Sequence, residues 1–385
     1  MDNKGFFITL SDEPSLKLYL KAGIYSQRTR DVRQKQERDE SLSSHFGTLA
    51  DFACARGGDY VFFFRDRKIF FGGQIQGPGD RGAFSFNGDN CPVIRGTDIP
   101  FVWDETERDE YEPVETDGDG VFQWSKADPL SDGEIKQYCH PFIFQFEKDE
   151  RTGLRISSDD LYWDLSDYPY PLMSDSISDR GFTPLTPGET RRLLRVFEEL
   201  GEEYEYDDGP TIELQGDPTP YKREFSIDSA SEAQSEAHLE AEILANPELL
   251  PRTLQPDPNT HLVRQVPMTP YKPYGDQSDR ADVCYYNTNN PVRDATLPNR
   301  LLELKVSKSG GPEARQAAKY RRWLGKLLGE DKLCEIEVVV YAPGFTMRNF
   351  ESEKYAGDQA RKIIPWEFES ECPRSTQNEL GDFIN

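Results

Sequence analysis

Several side chains in the second half of this chain have types and spacings suited to chemistry on a charged group. In the run Leu301-Leu302-Glu303-Leu304-Lys305-Val306, alternate positions of an extended strand share a face, so Glu303 and Lys305 point one way and Leu302, Leu304 and Val306 the other. A carboxylate and an ammonium thus sit together on one face. Gln316 and Tyr320, four residues apart, share one face of a helix. Upstream, Glu236, Leu239, Glu240 and Ile243 fall on one helical stripe, which places two carboxylates on a face that Leu239 and Ile243 would bury. Burying a carboxylate is costly unless it is ion-paired or binds a cation, so Glu236 and Glu240 mark a site, unless the stripe is half-buried and both reach water.

The elements that must position these groups can be read from caps and breakers. Ser231-Glu232-Ala233-Gln234 fits a capping box, predicting a helix to about Ala245 that Asn246-Pro247 ends. Arg280-Ala281-Asp282-Val283-Cys284-Tyr285-Tyr286 reads as a strand after a turn at Gly275 to Asp279, followed by a Pro- and Asn-rich stretch and then the Glu303 strand. Pro312, after Gly310-Gly311, suits the first position of a helix running to about Leu328, and Ile336–Tyr341 reads as a further strand. On that helix Arg315, Lys319, Arg322 and Lys326 form a basic ridge, either a solvated face or one that lies along a phosphate backbone.

The Glu303-x-Lys305 strand with the Gln316-x-x-x-Tyr320 helix resembles the PD-(D/E)xK nuclease superfamily in its RecB-like branch. Ser235-Glu236-x-x-Leu239-Glu240 followed by Asn246-Pro247-Glu248-Leu249 is similar to the first helix of the NucS (EndoMS) branch, and Arg280-x-Asp282 to the family's metal-binding aspartate strand. The resemblance implies a DNA endonuclease in which Asp282 and Glu303 hold Mg²⁺ or Mn²⁺. Glu236, or Glu240 on the next turn, would add a further carboxylate or a water-mediated contact. It implies that Lys305 orients the attacking water and offsets charge, and that Gln316 and Tyr320 hold Lys305 and the phosphate. Hard cations with oxygen ligands suit this chemistry, since Mg²⁺ typically needs only one or two carboxylates besides water and phosphate oxygens. Cutting both strands needs two such sites, so a homodimer is expected.

Composition bounds the reading. The 385 residues carry 36% hydrophobic and 12% aromatic residues, enough for two domains with real cores joined by polar linkers. The net charge of −25 is unusual for a nucleic-acid binder and argues against one, or for a protein adapted to concentrated salt. The excess is uneven, because Glu232 to Thr346 holds 14 Lys and Arg against 16 Asp and Glu. Six dispersed cysteines without a Cys-x-x-Cys pair read as free thiols in a reducing compartment, and four scattered histidines give little support to a histidine metal site or a Ser-His-Asp triad. No run approaches the ~18 apolar residues of a membrane span, so a cytoplasmic protein is expected. No Gly-x-x-x-x-Gly-Lys-Ser/Thr occurs, so an ATP-driven motor would be another chain.

Residues 1–200 read as a β-rich recognition domain, with a strand at Phe6–Leu10, a helix at Ser15–Ala22 and a hairpin of Tyr60–Phe64 with Ile69–Ile75. Arg28 to Glu40, dense in both charges, reads as an exposed loop or helix face, the alternative being a nucleic-acid contact through Arg28, Arg30, Arg33 and Lys35. Gly57-Gly58-Asp59-Tyr60-Val61-Phe62-Phe63-Phe64, followed by a strand containing Gly72-Gly73, resembles PUA-like barrels of the EVE and YTH type, which take a flipped or modified base into an aromatic pocket. Strands are expected at Val121–Trp124, Phe142–Phe146 and Leu161–Leu165 around a solvated acidic loop at Asp104–Asp119. Trp103, Trp124 and Trp163 are either core or the walls of a base pocket. Phe182–Thr186 and a helix at Pro187–Leu200 close this domain. Residues 201–230 read as an acidic linker with a β-like piece at Thr211–Leu214, and 231–372 as the nuclease domain. In the tail, 373–385, Gln377, Leu380, Phe383 and Ile384 resemble the PIP box that docks on the replication sliding clamp.

The fold expected is therefore α/β and α+β in two domains, an N-terminal β-rich PUA-like barrel and a C-terminal restriction-endonuclease-like mixed sheet flanked by helices. The expected function is DNA cleavage in repair. A modification-dependent restriction or antiphage nuclease is one rival, and a DNA- or clamp-binding module that does not cut is another. Whether the substrate is mismatched, modified, branched or single-stranded stays open.

Overall fold

The computed structural model describes residues 3–10, 13–30, 43–76, 111–114, 123–126, 136–159, 182–206, 226–268, 280–287, 298–329, 333, 335–351 and 357–374. They form a mixed α/β structure with two open sheets.

The first sheet is built on aromatic strands. β1 (Gly5–Thr9) lies parallel to β3 (Tyr60–Arg65) and antiparallel to β9 (Phe182–Leu185). The expected hairpin of β3 with β4 (Lys68–Gln76) forms, with Arg65 paired to Lys68 across two loop residues. Both loop residues, Asp66 and Arg67, have positive φ, 49° and 59°, so the turn has the mirror-image twist that matches right-handed strands. The register shifts between Val61 and Phe62. Opposite Val61, Gly73 has φ 157°, and a Cβ there would lie 2.1 Å from the Glu147 carbonyl oxygen. Only glycine lets β7 (Lys136–Glu147) approach β4 so closely.

β7 also pairs with β2 (Ile24–Arg30) and with β6 (Gln123–Lys126), which pairs in turn with β5 (Tyr111–Val114). Two expectations change here. The acidic stretch Asp104–Asp119 contains a strand, β5, and Arg28 and Arg30 end a strand rather than open a loop. β8 (Leu154–Ser157) pairs with β4 and with the short β10 (Glu202–Glu203), so the start of the expected linker is sheet. Among the described residues no ladder closes this sheet into the expected barrel. Trp103, Trp163, the expected strand at Leu161–Leu165 and the piece at Thr211–Leu214 lie outside the described residues, as does the side chain of Trp124.

Alternation along β1 sends Phe7 to one face and Phe6 and Ile8 to the other. Phe7 meets α3 (Pro187–Leu200) through Leu193, Val196 and Phe197. That helix starts with a complete capping box, in which Thr186 Oγ1 accepts from Glu189 N and Glu189 Oε2 from Thr186 N. On the opposite face lie α1 (Glu13–Ala22) and α2 (Ser43–Cys54).

The second sheet runs β11 (Thr260–Pro267), β12 (Arg280–Asn287), β13 (Arg300–Leu304), β14 (Glu337–Ala342) and β15 (Ile364–Glu367). Its first three strands are antiparallel, and β13, β14 and β15 are parallel. The parallel step from β13 to β14 is made by α5 (Gly311–Leu328), and α6 (Met347–Phe350) follows β14. α4 (Glu236–Ala245) covers one face and α5 the other, so this half is a mixed sheet flanked by helices. The N-cap lies four residues later than expected, at Ser235 instead of Ser231, and it is a single bond with no capping box. Ala230–Glu232 is a separate 3-10 turn, Ala233 is extended, and Ser235 caps α4 by accepting from His238 N.

One continuous apolar core joins the sheets. Phe6, Tyr25 and Phe52 belong to the same buried cluster as Leu239 and Ile243 of α4 and Leu302 and Leu304 of β13. Phe46 of α2 stacks on His238 of α4, with ring centroids 4.3 Å apart. The outer edge of β11 is also covered, since the Cys54 thiol donates to the Leu262 carbonyl and Arg56 to that of Thr260, hiding groups that would otherwise invite another strand. No described helix is long and apolar enough to cross a membrane.

Candidate active site

β13 is the central strand of its sheet and is buried on both faces, which is why its alternation carries chemistry. Leu302 and Leu304 pack toward α4, and Leu301 toward α5. Glu303, on the face of Leu301, is 2% exposed. Its Oε1 accepts from Lys305 Nζ at 2.8 Å, and its buried Oε2 has no hydrogen-bond partner.

Lys305, 9% exposed, also reaches Glu236 Oε2 at 3.2 Å, where Glu236 opens α4 at the surface. Two of its three protons are thus engaged. Burial alone would lower the Lys305 pKa, but Glu303 and then Asp282 outweigh it and raise it.

Asp282 stands on the neighbouring strand β12, half-buried. Its Oδ2 accepts from the main-chain N–H of Leu304 at 2.7 Å, and its Oδ1 from Gln265 Nε2 at 3.3 Å. Desolvation, followed by the nearby Glu303, pushes the Asp282 pKa well above the usual carboxylate range. The Glu303 carboxyl is pushed up to about 7, mainly by burial, with Lys305 pulling the other way. Two acids raised together beside one lysine form a site short of positive charge.

A divalent cation would relieve that shortage and give the orphaned Oε2 of Glu303 a partner. Among the described residues no group of three or more His, Cys, Asp or Glu side chains could hold a metal ion. A cation here would rest on Asp282 and Glu303, with water completing its shell.

Two expected placements change. Glu240, 3% exposed, is not a spare ligand: its oxygens accept from Arg264 Nε at 3.0 Å and Nη2 at 2.9 Å, and from Gln265 at 3.1 Å. Arg264 also binds Asp51 of α2. Tyr320, fully buried, does not grip Lys305 through the bonds described. Its hydroxyl accepts from Gln316 Nε2 and donates to the Arg280 carbonyl, each at 2.7 Å, which pins α5 to β12 two residues before Asp282. It is also near enough to Glu303 to favour the charged carboxylate.

Arg315, Lys319, Arg322 and Lys326 are all exposed along α5, as their spacing predicts. Gln377, Leu380, Phe383 and Ile384 lie outside the described residues.

Asp51, Arg264 and Gln265 were not singled out from the sequence. Arg264-Gln265 does interrupt the apolar strand Leu262-Val263-x-x-Val266, and a charged residue in mid-strand was the available signal. Nothing local marks Asp51, which lies 213 positions from Arg264 in the chain.

No family model, curated protein or solved structure matches the chain.

Proposed function

We propose that this chain is a divalent-metal-dependent endodeoxyribonuclease of the PD-(D/E)xK type, NucS-like, acting in DNA repair. The observation that carries the reading is the convergence of Asp282 and Glu303 from two adjacent strands with Lys305 just past the end of β13, and one buried carboxylate oxygen left unpartnered.

A bound Mg²⁺ or Mn²⁺ would supply charge neutralisation and an activated water. The chain's own part is to hold two acids and a lysine in fixed relation. Asp282 and Glu303 present oxygens from neighbouring strands, and Lys305 keeps one N–H for a water or phosphate oxygen while Glu303 and Glu236 hold the other two. Gln316 and Tyr320 hold the Asp282 strand against α5. The exposed ridge Arg315, Lys319, Arg322 and Lys326 supports binding of a phosphate backbone along α5.

A homodimer would provide the second site needed to cut both strands. The first half of the chain would read the substrate, as a PUA-like module does, and the Gln377–Ile384 tail would dock on a sliding clamp. Docking would compensate for weak phosphate contacts by raising the local concentration at DNA.

Cleavage of short duplexes that are plain, mismatched, methylated or flapped, with Mg²⁺ or Mn²⁺ at low and high salt, tests the reading. Metal-dependent cutting of one class supports it and names the substrate. Binding without cutting on every duplex would replace it with a recognition module.

A further inference from the structure

A left-handed backbone is uncommon at a non-glycine residue, and more so inside a strand, yet Gln265 in β11 has φ 51°. Its neighbours pair normally with β12, Arg264 with Val283 and Val266 with Ala281, which sets Gln265 directly across from Asp282. The strand changes face at this point. Val263 and Val266, three apart, both join the core beneath α5, where strict alternation would separate them. Ala281 and Cys284 on β12 do the same.

This local rearrangement brings one side-chain amide between two carboxylates. Gln265 Nε2 lies 3.1 Å from Glu240 Oε1 and 3.3 Å from Asp282 Oδ1, and an amide nitrogen has one proton for each. Glu240 cannot drift, because Arg264 grips both of its oxygens and is itself held by Asp51. Strained conformations of this kind persist where the surroundings over-determine them, and they cluster at functional sites.

We propose that Gln265 is a positioning residue for Asp282. Its left-handed backbone delivers an amide to Oδ1 while the Leu304 N–H holds Oδ2, and together they fix the plane of the carboxylate. The clamp of Asp51, Arg264 and Glu240 anchors that amide, so the position of a metal ligand is set partly from α2, in the first half of the chain. The proposal rests on the reading of Asp282 and Glu303 as metal ligands.

The test is Mn²⁺ binding followed by electron paramagnetic resonance on the full chain, beside metal-free thermal melting and duplex cleavage. Wild type is compared with Gln265→Gly, Gln265→Ala and Gln265→Asn. Glycine adopts the left-handed backbone without strain, so Gln265→Gly melts close to wild type yet binds Mn²⁺ about 10–100-fold more weakly, the usual cost of losing a group that orients a ligand. Gln265→Ala loses affinity and melts lower. Gln265→Asn, which keeps an amide and tolerates this backbone, recovers part of the affinity.

Wild-type affinity in Gln265→Gly and Gln265→Ala would overturn the proposal and leave the metal site standing. Affinity that falls only in step with melting temperature would reduce Gln265 to a structural role and also overturn it. Absence of Mn²⁺ binding by the wild type would overturn both the proposal and the metal-site reading.

Discussion

The carboxylate of Asp282 accepts a hydrogen bond from the main-chain N–H of Leu304, 2.7 Å away, which ties it to the residue between Glu303 and Lys305. A backbone donor has no rotamer freedom, so the spacing of the two acids is fixed by the ladder of β12 and β13. Asp282→Asn keeps an oxygen that can accept this bond, removes the charge, and exchanges the acceptor that faces Gln265 for an amide nitrogen. It should fold and melt within a few degrees of wild type while cleavage falls at least about 100-fold. Melting curves and single-turnover cleavage check this together.

The clamp around Arg264 joins the two sheets. Burial alone would lower its pKa, but the carboxylates of Asp51 and Glu240 outweigh this and keep it charged. Removing one member of a buried ion group strands the others, at a cost of about 3–5 kcal/mol. Arg264→Met should therefore shift the urea midpoint down strongly. Wild type should unfold in one transition by fluorescence and circular dichroism, since the core is continuous across both sheets.

Glu189, buried in the α3 capping box, has its pKa pushed up to about 8, mainly by desolvation, with its bonds to Thr186 opposing. A carboxyl whose folded pKa lies above its unfolded value contributes stability below the unfolded pKa, near 4.5, and loses it as pH rises through about 8. Each pKa unit of difference is worth about 1.4 kcal/mol. Glu189→Gln keeps an acceptor for Thr186 N and removes the titration. The variant should be more stable than wild type at pH 9, with the gap closing toward pH 4, as read by denaturation across that range.

The ridge on α5 makes a prediction about salt. Arg322→Ala with Lys326→Ala should weaken duplex binding and flatten the plot of log affinity against log salt by about 0.9 for each phosphate charge no longer neutralised. Unchanged affinity at every salt concentration would assign the ridge to solvent.

The site was legible where chemistry follows local spacing. Glu303 and Lys305 alternate with aliphatic residues, Gln316 and Tyr320 are one helical turn apart, and Asp282 lies in an apolar strand; the fold brings all of these elements together. α3 spans Pro187–Leu200 as its sequence predicts, and the cap of α4 lies four residues past the expected Ser231 because Ala230–Glu232 forms a separate 3-10 turn capped by Ser229.

What was not legible depends on distant partners. Glu240 looked available until Arg264 took its oxygens, and periodicity carries no record of a guanidinium from another strand. The left-handed backbone of Gln265 leaves no mark in the sequence beyond the polar break it shares with Arg264 in an apolar strand. β5 escaped notice because Tyr111–Val114 is short, contains Pro113 and lies inside an acidic stretch, and only its pairing with β6 makes it a strand. Packing of α2 on α4 across one core is likewise a long-range outcome, between residues such as Phe46 and His238 that stand far apart in the chain.

The most direct measurement is cleavage of the preferred duplex with Mg²⁺ by wild type, Glu303→Gln and Lys305→Ala, each shown by melting to be folded. The account predicts cutting by wild type that disappears with chelation of the metal and falls at least about 100-fold in both variants. Cutting that survives in folded Glu303→Gln at the wild-type rate would contradict it, since the buried carboxylate with the unpartnered oxygen would then have no part in the reaction.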